Sequence, residues 1–226
     1  IGHKWKCDYG FYLLIIKIFS VNQYEGSLSI IFRDPIFQPK RNYTMLRFTL
    51  CISLTIALSS NSLAQKLVAE PANIDPALPN VLLIGDSISI GYTMPVRKKM
   101  AGVANVFRPK TNCGPTTKGV AELDQWLGDR KWSVIHFNHG LHDLKYMGPN
   151  NKNLADPKKS NSHPQVPPTE YATNLKKIAQ RLKKTGAVVI WCETTPVPEG
   201  AQGRVVGDSK KYNEIAAKVV KELGDI

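Results

Sequence analysis

The sequence is poor in several features that mark particular classes of protein. Its 226 residues include only 4 cysteines and 8% aromatic side chains, and no five like charges occur in a row. No stretch alternates aromatic and basic side chains, so a nucleic-acid-binding platform is not indicated. Basic residues outnumber acidic ones by 30 to 18. This surplus is compatible with affinity for polyanions, but lysines on the solvent faces of helices explain it more simply.

Apolar runs that could span a membrane comfortably are also missing, since residues 11–19 and 45–58 are too short. Met45 and Arg47 precede an apolar core, and small or polar residues follow it, which is the pattern of a secretory signal peptide. A buried helix or a membrane anchor is the alternative. We predict a secreted or periplasmic protein with no stable membrane insertion after cleavage. The predicted segments are upstream translated sequence over 1–44, a signal peptide over 45–64, a lead-in over 65–78 and one folded domain over 79–226.

Short apolar runs alternate with helical patterns through the predicted domain. Residues 81–84 are apolar without a break, as in a parallel strand that is buried on both faces. The alternation predicts an α/β fold with a parallel sheet and right-handed crossovers. Residues 144–168 lack periodicity and predict a long loop, which in compact domains is usually functional or mobile. The other predicted strands are 103–107, 132–138 and 187–192, and the predicted helices are 95–101, 117–127, 168–184 and 208–223.

A turn with a serine follows the first predicted strand. Gly85 lets the backbone turn sharply, and Asp86 and Ser87 come next. In open α/β folds ligands bind at the carboxyl ends of the strands, so Ser87 stands where chemistry is expected. A serine hydroxyl is a nucleophile only when a base takes its proton. Because Gly-Asp-Ser is also a common turn tripeptide, this motif alone does not decide between a nucleophile and a plain turn.

Two more loops follow the second and third predicted strands and should converge on the same edge of the sheet. Residues 112–117 read Asn-Cys-Gly-Pro-Thr-Thr, which could be an ordinary turn with a threonine that caps a helix. Residues 136–143 read His-Phe-Asn-His-Gly-Leu-His-Asp. The spacing of His136, His139 and His142 suggests a metal site, but side chains three apart on a strand point to opposite faces. We therefore expect no metal, and a buried structural role for His136.

In this order, the three loops resemble the first three sequence blocks of the SGNH/GDSL hydrolases. The resemblance implies a three-layer α/β/α flavodoxin-like SGNH hydrolase fold that needs no cofactor, with Ser87 as the catalytic nucleophile. It also implies an oxyanion hole formed by the N–H groups of Ser87 and Gly114. The third block departs from the common Gly-x-Asn-Asp, because His142 replaces the asparagine. His142 or Asn138 is then the side-chain donor. The Thr-Thr-Pro segment at 194–196 resembles one that borders the pocket in this subfamily.

The fifth block of the family, Asp-x-x-His, is missing from the sequence. That block supplies the base and follows a fifth strand. The only histidine after the three loops is His163, which lies in the long predicted loop and is a poor candidate. The resemblance therefore implies a chain that is truncated near Asp225 and lacks the last strand and helix. The exposed edge of the sheet would then be prone to aggregation.

These observations predict a serine esterase that forms an acyl-enzyme on Ser87. The expected substrate is a small-molecule or carbohydrate ester, an acetyl ester above all, which rests on predicted export and on analogy with the family. The alternative is a catalytically inactive SGNH-scaffold domain that binds acidic polysaccharide. Cys113 and Cys192 both follow predicted strands at the same edge and could pair in an exported protein. The sequence does not decide that pairing, since it depends on geometry.

Overall fold

The computed structural model of the protein describes residues 70–224 and residue 226. The predicted upstream sequence over 1–44, the signal peptide over 45–64 and the first part of the lead-in lie outside the described residues. Among the described residues, the helices are too short or too polar to cross a bilayer.

A four-stranded parallel sheet forms the centre of the molecule, with strand order β2-β1-β3-β6. When only the parallel strands are counted, this is the order 2-1-3-4 of a flavodoxin-like sheet. The prediction of an α/β fold with a parallel sheet is confirmed. The strands are β1 (Asn80–Ile84), β2 (Asn105–Phe107), β3 (Val134–Phe137) and β6 (Val188–Trp191), and a small antiparallel pair is formed by β4 (Tyr146–Met147) and β5 (His163–Pro164).

Four helices accompany these strands, and three of them match the predicted bounds to within one residue. They are α1 (Ser87–Lys99), α2 (Thr116–Leu127), α3 (Pro168–Lys183) and α4 (Asp208–Leu223). The first helix was predicted only from Pro95, but it begins eight residues earlier. The Asp86 carboxylate caps it by accepting the Ile88 N–H at 2.9 Å, and Pro95 lies inside it.

The helices divide unequally between the two faces of the sheet. Helices α2, α3 and α4 cover one face, where they bury the larger apolar core. Helix α1 covers the other face with a smaller core that includes Val96 and Met100. The predicted inward stripe of α3 is confirmed, because Tyr171, Leu175, Ile178 and Leu182 are all buried. Val120 of α2 was expected in the core but is 41% exposed, and Gly119 is buried in its place.

The structure differs from one other expectation and decides the cysteine pairing that the sequence left open. Residues 144–168 are not structureless, since β4 and β5 pair within them and Leu144 and Val166 at their ends are fully buried. The short strands have no visible period, which is why the sequence pattern missed them. Cys113 is a buried free thiol, so it does not pair with Cys192. Burial raises the pKa of Cys113 to about 12, which leaves the thiol protonated.

His136 lies in the smaller core, in register with Leu83 and Ile190 of the neighbouring strands. The edge of its ring meets Tyr92, with the ring centroids 6.2 Å apart. Burial lowers the pKa of His136 to about 4. The predicted structural role of this histidine agrees with its position.

The low pKa of His136 predicts that acid weakens the fold. Between pH 6.5 and 4, the unfolded chain binds a proton on this ring and the folded chain does not, so stability falls as the pH falls. We expect the wild type to lose about 2–3 kcal/mol more than His136→Leu between pH 7 and 4.5. Urea unfolding at both pH values measures this difference. Equal losses in the two proteins would show that His136 does not carry the effect.

Candidate active site

Ser87 is the first residue of α1 and follows the carboxyl end of β1. Its side chain is exposed, and among the described residues its hydroxyl has no hydrogen-bond partner. The N–H groups of the first helical turn have no partner within the helix, so the Ser87 N–H also faces outward. The structure thus presents a hydroxyl and a backbone donor at one exposed position.

The second loop lies directly against this turn, because the Cys113 N–H donates to the Gly85 carbonyl at 3.3 Å. Gly114 adopts a left-handed φ of 57°, which a glycine tolerates and other residues adopt rarely. Its carbonyl accepts a hydrogen bond from His139 Nδ1 at 3.1 Å. The buried His139 imidazole therefore holds the carbonyl of Gly114, whose N–H was predicted as an oxyanion donor.

The side chain of Asn112 is a site residue that the sequence reasoning did not assign. Its Oδ1 accepts the Gly114 N–H at 2.9 Å, so this predicted oxyanion donor is occupied in the structure. The same bond orients the Asn112 amide, whose Nδ2 hydrogens have no acceptor among the described residues. An incoming oxyanion can take either the freed Gly114 N–H or the Asn112 amide. The only sequence signal was an asparagine two residues before a glycine.

Asp143 joins the second loop to the third. Its Oδ1 accepts the backbone N–H of Thr116 at 2.8 Å and the Thr116 hydroxyl at 2.5 Å. The carboxylate is fully buried, and burial raises its pKa, whereas His139 and the Thr116 donors lower it. Thr116 is the first residue of α2, so Asp143 also stabilises the start of that helix.

His142 is half-buried at the same edge of the sheet. Burial and then the neighbouring charge of Lys145 lower the pKa of His142 to about 4, so the ring is neutral at neutral pH. Lys145 Nζ lies 3.5 Å from His142 Nδ1. An ammonium group only donates, so Nδ1 accepts and the ring proton sits on Nε2. This tautomer gives His142 an N–H that can serve as an oxyanion donor.

Asn138, the other predicted side-chain donor, is used elsewhere. Its amide donates to the carbonyls of Cys192 and Glu193 at 2.9 and 2.8 Å. Both amide hydrogens therefore tie the end of β3 to the loop after β6. This leaves His142, and not Asn138, as the side-chain donor from the third loop.

The Thr-Thr-Pro segment borders the third loop. The side chain of buried Thr194 packs against Gly140, where an added Cβ would lie 2.9 Å from the threonine Cβ. Asn213 of α4 holds the Thr194 backbone from both sides, at 2.8 Å to its N–H and 3.0 Å to its carbonyl. The segment that follows the fourth parallel strand thus packs against the third loop, and α4 holds it there through Asn213.

The three histidines of the third loop do not converge. His136 lies under α1, whereas His139 stacks on Trp126 of α2, on the other side of the sheet. Within residues 70–224, no group of His, Cys, Asp or Glu side chains is arranged to hold a metal ion.

A base for Ser87 is not present among the described residues. No imidazole within residues 70–224 hydrogen-bonds to its hydroxyl. His163 lies on β5, where its Nδ1 is 3.0 Å from the Pro164 carbonyl. The residues predicted as nucleophile and oxyanion donors therefore lie together without a hydrogen-bonded base among the described residues.

A sizeable cavity lies away from these three loops. It measures about 650 Å³ and is lined by residues 107–111 and 122–130 together with Glu70 and Trp132. None of Ser87, Gly114 and His142 lines it. The three predicted loops thus lie outside this cavity, at the carboxyl edge of the sheet.

Comparison with solved structures identifies the fold. A Streptococcus pneumonia structure, described as a candidate platelet activating factor, aligns over 77% of this chain and 79% of its own, with 18% identity and a TM-score of 0.52. The chain has the SGNH hydrolase fold. The predicted fold is confirmed, with Gly-Asp-Ser, Gly114 and Gly-Leu-His-Asp brought to one edge of its parallel sheet.

Other structures align with the SGNH fold of this chain at lower scores. An acetyl xylan esterase, AlAXEase, has 14% identity and a TM-score of 0.49, over 63% of this chain and 73% of its own. A GDSL-like lipase from Bacteroides thetaiotaomicron has 15% identity and a TM-score of 0.45, over 74% and 71%. A scan of family models and a search of curated proteins found no match.

Proposed function

We propose that this protein is a serine ester hydrolase that acts through an acyl-enzyme on Ser87. The observation that carries the proposal is the exposed Ser87 hydroxyl at the first turn of α1, beside the Gly114 loop. Three loops that are far apart in the sequence meet there, and each brings a group suited to acyl transfer.

In the proposed reaction, the Ser87 hydroxyl attacks the ester carbonyl and loses its proton to a base. The negative charge on the carbonyl oxygen is stabilised by N–H donors of Ser87, Gly114 and His142. The alcohol leaves, and water then attacks the acyl-enzyme and releases the acid. Because His142 stays neutral with its proton on Nε2, it donates a hydrogen bond without acting as the base. Among the described residues, no imidazole is hydrogen-bonded to the Ser87 hydroxyl to act as this base.

An acetyl ester is the substrate that we propose, on a small molecule or a carbohydrate. The exposed position of Ser87 favours a short acyl group, since a long acyl chain needs an apolar cavity to cover it. Export is part of the same proposal and is supported by the signal-peptide pattern over 45–64.

Covalent trapping tests the proposal. The full chain is treated with a fluorophosphonate and digested for mass spectrometry. We expect one phosphonate per chain on Ser87, together with loss of p-nitrophenyl acetate hydrolysis. Ser89 serves as an internal control, because it is buried and donates to the Asp86 carbonyl at 2.6 Å.

Other results would point to other functions. Turnover that a chelator abolishes, without any labelling of Ser87, would indicate a metal-dependent enzyme. A folded chain that neither reacts nor hydrolyses esters would favour a binding domain for acidic polysaccharide.

A further inference from the structure

Two cations flank the turn that carries His142. Lys145 Nζ lies 3.5 Å from His142 Nδ1, and Arg204 Nε donates to the Leu141 carbonyl at 3.1 Å. Lys145 follows the third loop, whereas Arg204 comes from the loop after β6. Two segments about sixty residues apart in sequence thus bring positive charge to the adjacent residues Leu141 and His142.

Both cations are half-buried, and neither forms an ion pair with a carboxylate among the described residues. The pKa of Lys145 is lowered, first by burial and then by the neighbouring charge of Arg204. Burial also lowers the pKa of Arg204. Partly buried cations that lack a hydrogen-bonded carboxylate keep donors to offer, so an anionic occupant that accepts from them would bind favourably. The ion pairs that do occur in the described residues join Lys110 to Glu70, Lys118 to Glu122, Lys176 to Glu222 and Arg181 to Asp124.

The nearby carboxylates are used by the backbone. Asp143 accepts from Thr116, and Asp86 accepts the Ile88 N–H as a helix cap. Neither makes a hydrogen bond to Lys145 or Arg204. Asp143 attracts Lys145 and Asp86 attracts Arg204 electrostatically, but hydrogen-bond donors of both cations stay available to an anionic group.

The two cations are held in place by a backbone hydrogen bond between their neighbours. The Tyr146 N–H donates to the Gly203 carbonyl at 2.7 Å. Leu154 packs against Gly203 from the β4–β5 segment, where a side chain on the glycine would clash. Because each cation is adjacent to one end of this bond, their spacing is fixed by the fold and does not depend on flexible loops.

We propose that Lys145 and Arg204 bind an anionic group of the substrate, so that the ester belongs to an acidic carbohydrate such as an O-acetylated uronic acid. This inference rests on the proposed esterase function of Ser87. The guanidinium Nη2 and the ammonium protons are the donors that remain for a carboxylate. The proposed site lies beside His142, so the charged group would orient the ester over Ser87.

A matched pair of substrates tests this proposal. O-acetylated methyl galacturonoside and O-acetylated methyl galactoside differ only in the carboxylate. We expect kcat/KM of the full chain to favour the acidic ester by about tenfold or more, and high salt to reduce that ratio. In Arg204→Gln and Lys145→Gln the ratio should fall toward one through KM, whatever the absolute rate. Lys152→Gln, an exposed lysine in the same region, should keep the wild-type ratio.

Direct binding separates this proposal from the proposed function. Methyl galacturonoside, galactose 6-sulfate and methyl galactoside are titrated against the full chain. Binding of an acidic sugar that Arg204→Gln loses, without hydrolysis of any ester, would refute the esterase and support the anion site. Preference for the sulfate would reassign the anionic group from carboxylate to sulfate. Hydrolysis without preference for the acidic ester would overturn the anion site, as would an equal change in Lys152→Gln.

Discussion

Replacing Ser87 by alanine should lower kcat/KM for p-nitrophenyl acetate by roughly 10³-fold or more, because the acyl-enzyme can no longer form. Residual turnover would come from the His142 N–H and from the Gly114 N–H once the substrate frees it from Asn112, both of which the substitution leaves in place. The fold should be unaffected, since the side chain is exposed and its hydroxyl has no partner among the described residues. Initial-rate kinetics and the melting temperature measure the two effects.

Ser160→Ala is the matched control for this substitution. Ser160 is an exposed serine of the β4–β5 segment, so its variant should retain wild-type kinetics. If Ser87→Ala keeps its activity within about tenfold, the nucleophile has been assigned to the wrong residue.

Replacing Asp143 by alanine should cost about 3–5 kcal/mol of unfolding free energy. The substitution removes a buried acceptor and leaves the Thr116 N–H and hydroxyl without it. The start of α2 would loosen, and with it the peptide of Gly114. Urea unfolding measures the loss, and activity at low temperature reports whether the oxyanion donor has moved.

Two further variants define the effect of Asp143. Asp143→Asn keeps an acceptor oxygen and should lose only about 1–2 kcal/mol, which preserves a test if the alanine variant does not fold. Asp129→Ala removes an exposed carboxylate and should stay within about 0.5 kcal/mol of the wild type. A loss in Asp143→Ala that equals the loss in Asp129→Ala would show that the carboxylate does not hold the two loops together.

The regular elements were predictable because their patterns are strong. Helix α4 has the predicted bounds, and the apolar stripe of α3 is buried as expected. Helix α1 was missed over its first two turns, since its polar and apolar residues are too mixed to show a helical face. Its start depends on Asp86, whose carboxylate could equally cap a helix or close a turn.

The site was predictable as a set of loops but not as a set of hydrogen bonds. The sequence placed Ser87, Gly114 and His142 at one edge of the sheet, and the parallel strands bring their loops there. It could not show that Asn138 donates to two carbonyls or that Asn112 occupies the Gly114 N–H. Such bonds depend on side-chain rotamers and on distances between separate loops, which a sequence pattern does not encode.

The hydrogen bond from the Cys113 N–H to the Gly85 carbonyl has a mechanical consequence. Ser87 carries its hydroxyl and its own N–H on α1, so both move together as one rigid body. Gly114 moves with a second body, which His139 and Asp143 clamp to the third loop. The relative position of Ser87 and the Gly114 N–H then depends on how helix α1 and the Gly114 loop are placed against each other. The hydrogen bond from the Cys113 N–H to the Gly85 carbonyl joins these two parts directly.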